Sequence, residues 1–166
     1  MNIYYSDEEG RLDSEIKSLM EKAALKALSL EFPDVLEETA LKPEELDAEI
    51  GVTVVEAEEI RSLNREFRGN DSVTDVLSFP QYDDMEELAY DLADEEVTAL
   101  IGDVVICYDR VLSQAEEFGT GVTREFVYLF THSILHLMGY DHMEEDDKRE
   151  MRAREEEILG SIGVSR

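Results

Sequence analysis

The sequence predicts an α+β fold: a single domain in which helices pack on a small mixed β-sheet. Its 166 residues, 43% of them hydrophobic, suffice for one buried core without disulfide or metal staples. Short β-branched segments and helical periods are interleaved through the first two thirds of the chain. Beyond Cys107 the pattern is helical throughout, the combination expected when helices pack against a sheet. The domain is expected to span 1–166, with no internal repeat.

Residues 2–5 read as a short opening strand. After a turn at Glu9 and Gly10, residues 14–32 carry Ile16, Leu19, Met20, Ala23 and Ala27 at helical spacing, an amphipathic helix facing the core. Pro33 is expected to end it, and an acidic connection to lead on to Leu46. Residues 50–55 form a β-branched run expected as a buried strand, and residues 56–67 return to a helical period. Residues 76–79 read as a short strand stopped by Pro80. Of the fourteen residues 83–96, eight are Asp or Glu, so a solvated loop or weak surface helix is expected there rather than a packed element. A longer strand at 99–107 has Gly102 and Asp103 at its middle, and helices follow at about 109–118, 123–138 and 145–159, the first two separated by residues 119–121. Acids alternate with Lys148, Arg149, Arg152 and Arg154 along residues 144–157, a pattern that helical pairing on a solvated face explains.

The single cysteine, Cys107, excludes an internal disulfide framework and a Cys-rich metal cluster, which suits a reducing compartment. Residues 1–9 are acidic and lack the basic and apolar regions of a secretory signal, so no export is expected. The apolar stretch 126–138 is broken by Thr131, His132, Ser133 and His136, short of a membrane span. The expectation is a soluble, cytoplasmic protein with no membrane association. With 42 acidic and 15 basic residues, the net charge of −27 repels nucleic acid at long range and favours a dispersed monomer. General affinity for DNA or RNA is disfavoured, but a local basic patch is not, because individual Lys and Arg side chains make phosphate contacts.

All three histidines fall in the string HSILHLMGYDH at residues 132–142. On a helix, His132 and His136 are four apart and project from one face, close enough to grip a single ion. Gly139 can adopt the left-handed conformation of a helix C-cap, after which the chain turns back and brings His142 to the same ion. Three imidazoles leave a fourth position open, the catalytic form of zinc, in which a bound water has its pKa lowered to about 7. One Zn2+ ion bound by His132, His136 and His142 is therefore expected. Nothing in the spacing brings Cys107 near enough to close the site. A histidine alone on an apolar helix is as well explained by a bond to a backbone carbonyl, a reading that the clustering of all three opposes.

The spacing H-x-x-x-H-x-x-G-x-x-H coincides with that of the metzincin proteases, so the metal helix is zincin-like. In those proteases a Glu after the first His serves as general base. Here that position is Ser133, which cannot take a proton at neutral pH. The metal geometry remains and the peptidase chemistry loses its central group.

With this string the chain resembles the YbeY family of bacterial endoribonucleases and ribosomal RNA maturation factors. The block LNREFRGNDSVTDVLSFP at 63–80 resembles the family's other signature, and IGDVVIC at 101–107 the strand that follows it, all three in the family's order. The resemblance covers about residues 50–159. Ser133 stands where the family commonly has Gly and Val73 where it commonly has Pro, and neither change removes a metal ligand. The resemblance implies a single α+β domain, zinc at His132, His136 and His142, and cleavage of single-stranded RNA. It further implies maturation of the 3′ end of small-subunit ribosomal RNA and a part in ribosome quality control. The implied substrate is ribosomal RNA, and the implied partners are ribosomal proteins or small-subunit assembly factors.

The resemblance also implies a catalytic arginine beside the metal, which maps to Arg68 and is suited to holding a phosphate and stabilising its developing charge. Otherwise Arg68 is a surface cation at a helix end. Arg61, Arg65 and Arg68 form a stripe with spacings of four and three, either an RNA footprint or a face balanced by Glu58, Glu59 and Glu66. Thr74, Asp75 and Ser78 are candidates for orienting the site from behind the ligands, although turn formation explains Asp75 and Ser78 equally well, and Asp141 is a candidate for the same role or for proton transfer. Two readings compete with RNA hydrolysis. A zincin-like metallopeptidase is opposed by Ser133; a non-catalytic ribosome-assembly factor with a structural zinc is favoured by the acidic surface, which suits basic ribosomal proteins.

Overall fold

The structure, a computed structural model, describes residues 1–164; the last two positions of the expected domain lie outside the described residues. Strand β1 (Asn2–Ser6) ends in a turn where Asp7 accepts hydrogen bonds from the amides of Arg11 and Leu12. Helix α1 (Ser14–Glu31) starts on Asp13, whose carboxylate caps the Ile16 amide at 2.9 Å, and buries Ile16, Met20, Ala23 and Ala27 as their spacing predicts. Leu19, expected on the same stripe, is only partly buried against a smaller cluster. Pro33 ends α1 but opens no irregular connection. It stands in the first turn of a second helix, α2 (Pro33–Thr39), where a missing N–H leaves no bond unmade, and a 3-10 turn follows at Pro43–Glu45.

Strand β2 (Ala48–Val55), helix α3 (Ala57–Arg68) and strand β3 (Val76–Pro80) come next, then helix α4 (Met85–Ala93) and strand β4 (Ala99–Cys107). Helices α5 (Tyr108–Phe118), α6 (Val122–Leu137) and α7 (Glu145–Ser161) complete the described residues. The four strands form one mixed sheet in the order β1-β2-β4-β3, with β1, β2 and β4 parallel and β3 antiparallel to β4. This is the expected single-domain α+β architecture. Strand β4, one of the two inner strands and covered by helices, is buried at seven of its nine positions, which is why its sequence lacks a clean alternation.

The segment 83–96 corrects its expectation. Its helix α4 is packed, with Leu88 and Leu92 buried in the main core and contacts to α2 and β4. The acids occupy its caps and outer face, and charge density masked a narrow apolar stripe of two leucines four residues apart.

Gly102 sets how closely the site's two walls approach. Its φ is +149°, and a Cβ there would stand 2.5 Å from the carbonyl oxygen of Phe79 and 2.9 Å from Leu137 Cδ2. Glycine thus lets the end of β3 and the end of α6 close over β4. The main core joins α1, the sheet and α6, while Val55, Ile60, Leu77, Val105 and Cys107 form a second cluster beneath α3. Burial pushes the pKa of the Cys107 thiol up, and the residue serves as a small apolar side chain. Among the described residues no helix is long and apolar enough to cross a membrane.

Candidate metal centre and its cavity

Helix α6 runs through the middle of the molecule, anchored by Phe126, Phe130, Ile134 and Leu137, all fully buried. That leaves one flank for His132 and His136. The helix closes in a Schellman motif: the Gly139 amide donates to the carbonyl of His136 at 3.1 Å and the Tyr140 amide to that of Leu135 at 3.0 Å. Gly139 has φ +94°, as its expected C-cap role requires. The reversal returns His142 to the other two, with ring centroids 4.9 Å from His136 and 5.8 Å from His132.

Each of the three imidazoles offers a nitrogen within 4.8 Å of the others, a group that can hold a metal ion. The bonds made behind two of the rings fix what those nitrogens present. His136 Nδ1 lies 2.8 Å from the carbonyl oxygen of Tyr140, which can only accept, so Nδ1 carries the hydrogen and Nε2 a bare lone pair. His132 Nδ1 donates to Glu155 Oε1 at 2.5 Å. The two Nε2 atoms face each other at 3.1 Å. A shared hydrogen or a metal ion can bridge such a pair, and imidazoles around a tetrahedral zinc hold their nitrogens about 3.3 Å apart. The donor set fits a metal ion. Burial, and next the neighbouring His132, push the His136 pKa down, so this imidazole is neutral at pH 7 with its lone pair available.

Facing the histidines is a cavity of about 390 Å³, walled by Arg68 and by the chain from Thr74 through Ser78. Arg68 ends α3, just before Gly69 takes a left-handed C-cap, and its guanidinium donates to the Ser78 carbonyl at 2.6 Å while lying 5.2 Å over the Phe79 ring. Arg68 and the three histidines singled out in the sequence line this one cavity. The loop between α3 and β3 is pinned by side chains of the helices beside it, Asn64 on α3 to the Ser72 carbonyl at 3.0 Å and Gln114 on α5 to Asp75 at 3.0 Å. Asp75 thus orients the loop and β3, not an imidazole. Ser78 Oγ bonds Ser133 Oγ, tying β3 to α6. Asp141 accepts from the Met143 amide at 3.2 Å and turns the chain toward His142. Of the arginine stripe, Arg61 is held by Asp71 at 2.9 Å and Arg65 lies 3.9 Å from the same carboxylate, which leaves Arg68 alone at the cavity.

Two groups escaped the sequence reading. Glu155, within the run assigned to a solvated face, is 5% exposed and holds His132 while Tyr128 Oη donates to its other oxygen at 3.4 Å. The signal was its place on the stripe of Met151, Ile158 and Leu159, where a carboxylate is buried only with a partner. Tyr140 supplies the carbonyl to His136, and its hydroxyl is clamped by Glu31 at 3.0 Å and Arg154 at 3.3 Å. Arg154 also pairs with Glu31 at 2.6 Å, so α1 and α7 together hold the loop that orients a candidate ligand.

Comparison with known proteins points in one direction. The profile of the family described as Endoribonuclease YbeY matches residues 12–163. The chain is 42% identical over 155 residues to a protein named Endoribonuclease YbeY from Clostridium perfringens (strain SM101 / Type A), covering 80% of this chain and 92% of that one. It is 38% identical over 173 residues to the protein of that name from Thermoanaerobacter sp. (strain X514), covering both in full. Its fold is similar to a solution structure from Thermotoga maritima, with a TM-score of 0.52 and 27% identity over 96% of this chain and 91% of that one.

Proposed function

The chain belongs to the YbeY endoribonuclease family, and on that premise we propose that it is a zinc-dependent endoribonuclease of the cytoplasm that cuts single-stranded RNA. Its substrate is ribosomal RNA, its task the maturation of the small-subunit 3′ end and ribosome quality control, and it acts as a monomer on complexes that ribosomal proteins or assembly factors present to it. The observation that carries the catalytic part is the convergence of three imidazoles and one arginine on a single cavity.

His132, His136 and His142 would hold the ion, oriented by Glu155 and the Tyr140 carbonyl. When bound, zinc supplies a water acidified to a pKa of about 7 and hence a nucleophile at neutral pH. Arg68 binds the scissile phosphate against the histidines and neutralises the charge that grows on its non-bridging oxygens as it is attacked. Its guanidinium is pre-aimed by the Ser78 carbonyl, so little order is lost when the phosphate arrives. No group stands where a peptidase keeps its base: Ser133 is fully buried and its hydroxyl is turned into the protein toward Ser78.

Cleavage of a fluorescent single-stranded RNA by zinc-loaded wild type, Arg68→Ala and His136→Ala tests the reading. Arg68→Ala is expected to lower kcat roughly 100- to 1,000-fold, as loss of one donor to a developing oxyanion does, and His136→Ala to abolish turnover. Equal cleavage by all three would mean a contaminating nuclease and would reject the assignment.

A further inference from the structure

Strand β3 is an edge strand of the sheet and lines the Arg68 cavity, and its register decides which backbone groups the free edge presents. The Cys107 amide donates to the Asp75 carbonyl and the Gln81 amide to that of Ile101. In an antiparallel pair the bonded positions alternate, so Leu77 and Phe79 turn their backbone groups toward β4, and Val76, Ser78 and Pro80 turn theirs away. The Arg68 guanidinium meets the Ser78 carbonyl on this outer edge, as the alternation requires. A residue in a strand points its N–H and C=O to the same side, so the Ser78 amide lies beside that carbonyl and faces the cavity with it. We propose that the Ser78 backbone N–H is a second donor to the scissile phosphate, binding with Arg68 the non-bridging oxygens on which charge grows. The inference rests on the endoribonuclease reading and deepens it.

Three observations argue for a phosphate at this amide. The first is availability. The Val76 amide is taken by Asp75 Oδ1 at 2.8 Å and Pro80 has no amide hydrogen, so among the described residues Ser78 holds the one N–H on the outer edge of β3 without a protein acceptor. Ser78 is half-buried, and an amide there needs an acceptor from outside the protein. The second is charge. Asp75 is the one carboxylate in the described wall of this cavity, and both its oxygens are engaged, Oδ1 by the Val76 amide and the Thr74 hydroxyl and Oδ2 by Gln114. The Ser78 carbonyl takes one N–H of the Arg68 guanidinium and leaves the others to meet an anion. The third is the shape of the edge. A peptide added as a further strand would need free donors and acceptors in alternation. Here Arg68 covers one carbonyl, Asp75 caps one amide and proline removes another, so a single N–H beside a guanidinium is left, which suits a compact anion.

Two experiments test the proposal. In amide NMR spectra of the zinc-loaded protein titrated with inorganic phosphate, the Ser78 amide proton is expected to move downfield as it bonds the anion, while the Val76 amide, already held by Asp75, moves little. A Ser78 amide that stays in place while the Arg68 side-chain N–H signal shifts to saturation would overturn the proposal. The second experiment compares Ser78→Pro with Ser78→Ala in steady-state cleavage of single-stranded RNA. Both variants lose the hydroxyl that meets Ser133, but proline alone also loses the amide, and at this edge position it sacrifices no ladder bond. The kcat of Ser78→Pro is expected roughly 100- to 1,000-fold below that of Ser78→Ala with KM changed less, as for one lost donor to a developing oxyanion. Equal kcat for the two variants, both folded by circular dichroism, would overturn the proposal and leave the endoribonuclease reading intact. If Ser78→Pro does not fold, the phosphate titration of the wild type decides. Wild type that cleaves no RNA would overturn the reading and the proposal together.

Discussion

At His132 the orientation of the ring is set from another helix. Glu155 on α7 accepts from its Nδ1, and Tyr128, one turn earlier on α6, steadies the same carboxylate. Replacing Glu155 with Ala removes the acceptor that fixes the tautomer, so zinc affinity should fall roughly 10- to 100-fold while circular dichroism stays native. Competition against a chromophoric chelator measures this, and an unchanged affinity would mean that the ring is held by packing alone. Tyr140→Phe acts at one remove: the carbonyl remains but the hydroxyl anchored by Glu31 and Arg154 is lost. A smaller weakening of zinc binding is expected in the same titration. The histidines were legible because a spacing of four on a helix is itself a geometric statement. Glu155 was harder to see, because its place on the stripe of Met151, Ile158 and Leu159 is all that sets it apart among 42 acidic residues.

Elements are positioned by features of unequal visibility. The end of α6 was readable from Gly139, since few other residues suit the left-handed turn that sends the chain back with His142. Helix α4 was misread because surface charge outnumbers its buried stripe, although Leu88 is fully buried. Leu88→Ala should therefore cost about 2–4 kcal/mol, the range for truncating a buried leucine. Urea unfolding gives the value, and a loss under 1 kcal/mol would mean that α4 is only loosely attached. At Gly102, alanine would press its methyl against the Phe79 carbonyl and Leu137. That substitution should destabilise the fold by roughly 1–3 kcal/mol, as overpacking does, and should lower cleavage by displacing β3 from the metal helix. The strand order and the reversal of β3 were beyond the sequence, because they depend on which strand edge meets β4 after folding.

Across the whole molecule, the elements that carry the candidate site are held by packing and polar contacts made away from the histidine rings. Helix α6 is held in the main core by Phe126, Phe130 and Ile134, and the loop after it by Tyr140, Glu31 and Arg154. A structural zinc would instead be part of the folding free energy, and chelation would unfold the chain. The acidic surface adds a second whole-molecule consequence. At −27, long-range forces oppose RNA, so its binding must come from short-range groups at the cavity. The most direct measurement is stepwise return of zinc to chelator-stripped protein, with single-strand RNA cleavage and circular dichroism followed together. The account predicts a native spectrum throughout and activity that rises to a plateau at one ion per chain. Unfolding on chelation, or RNA cleavage that persists undiminished without metal, would contradict it.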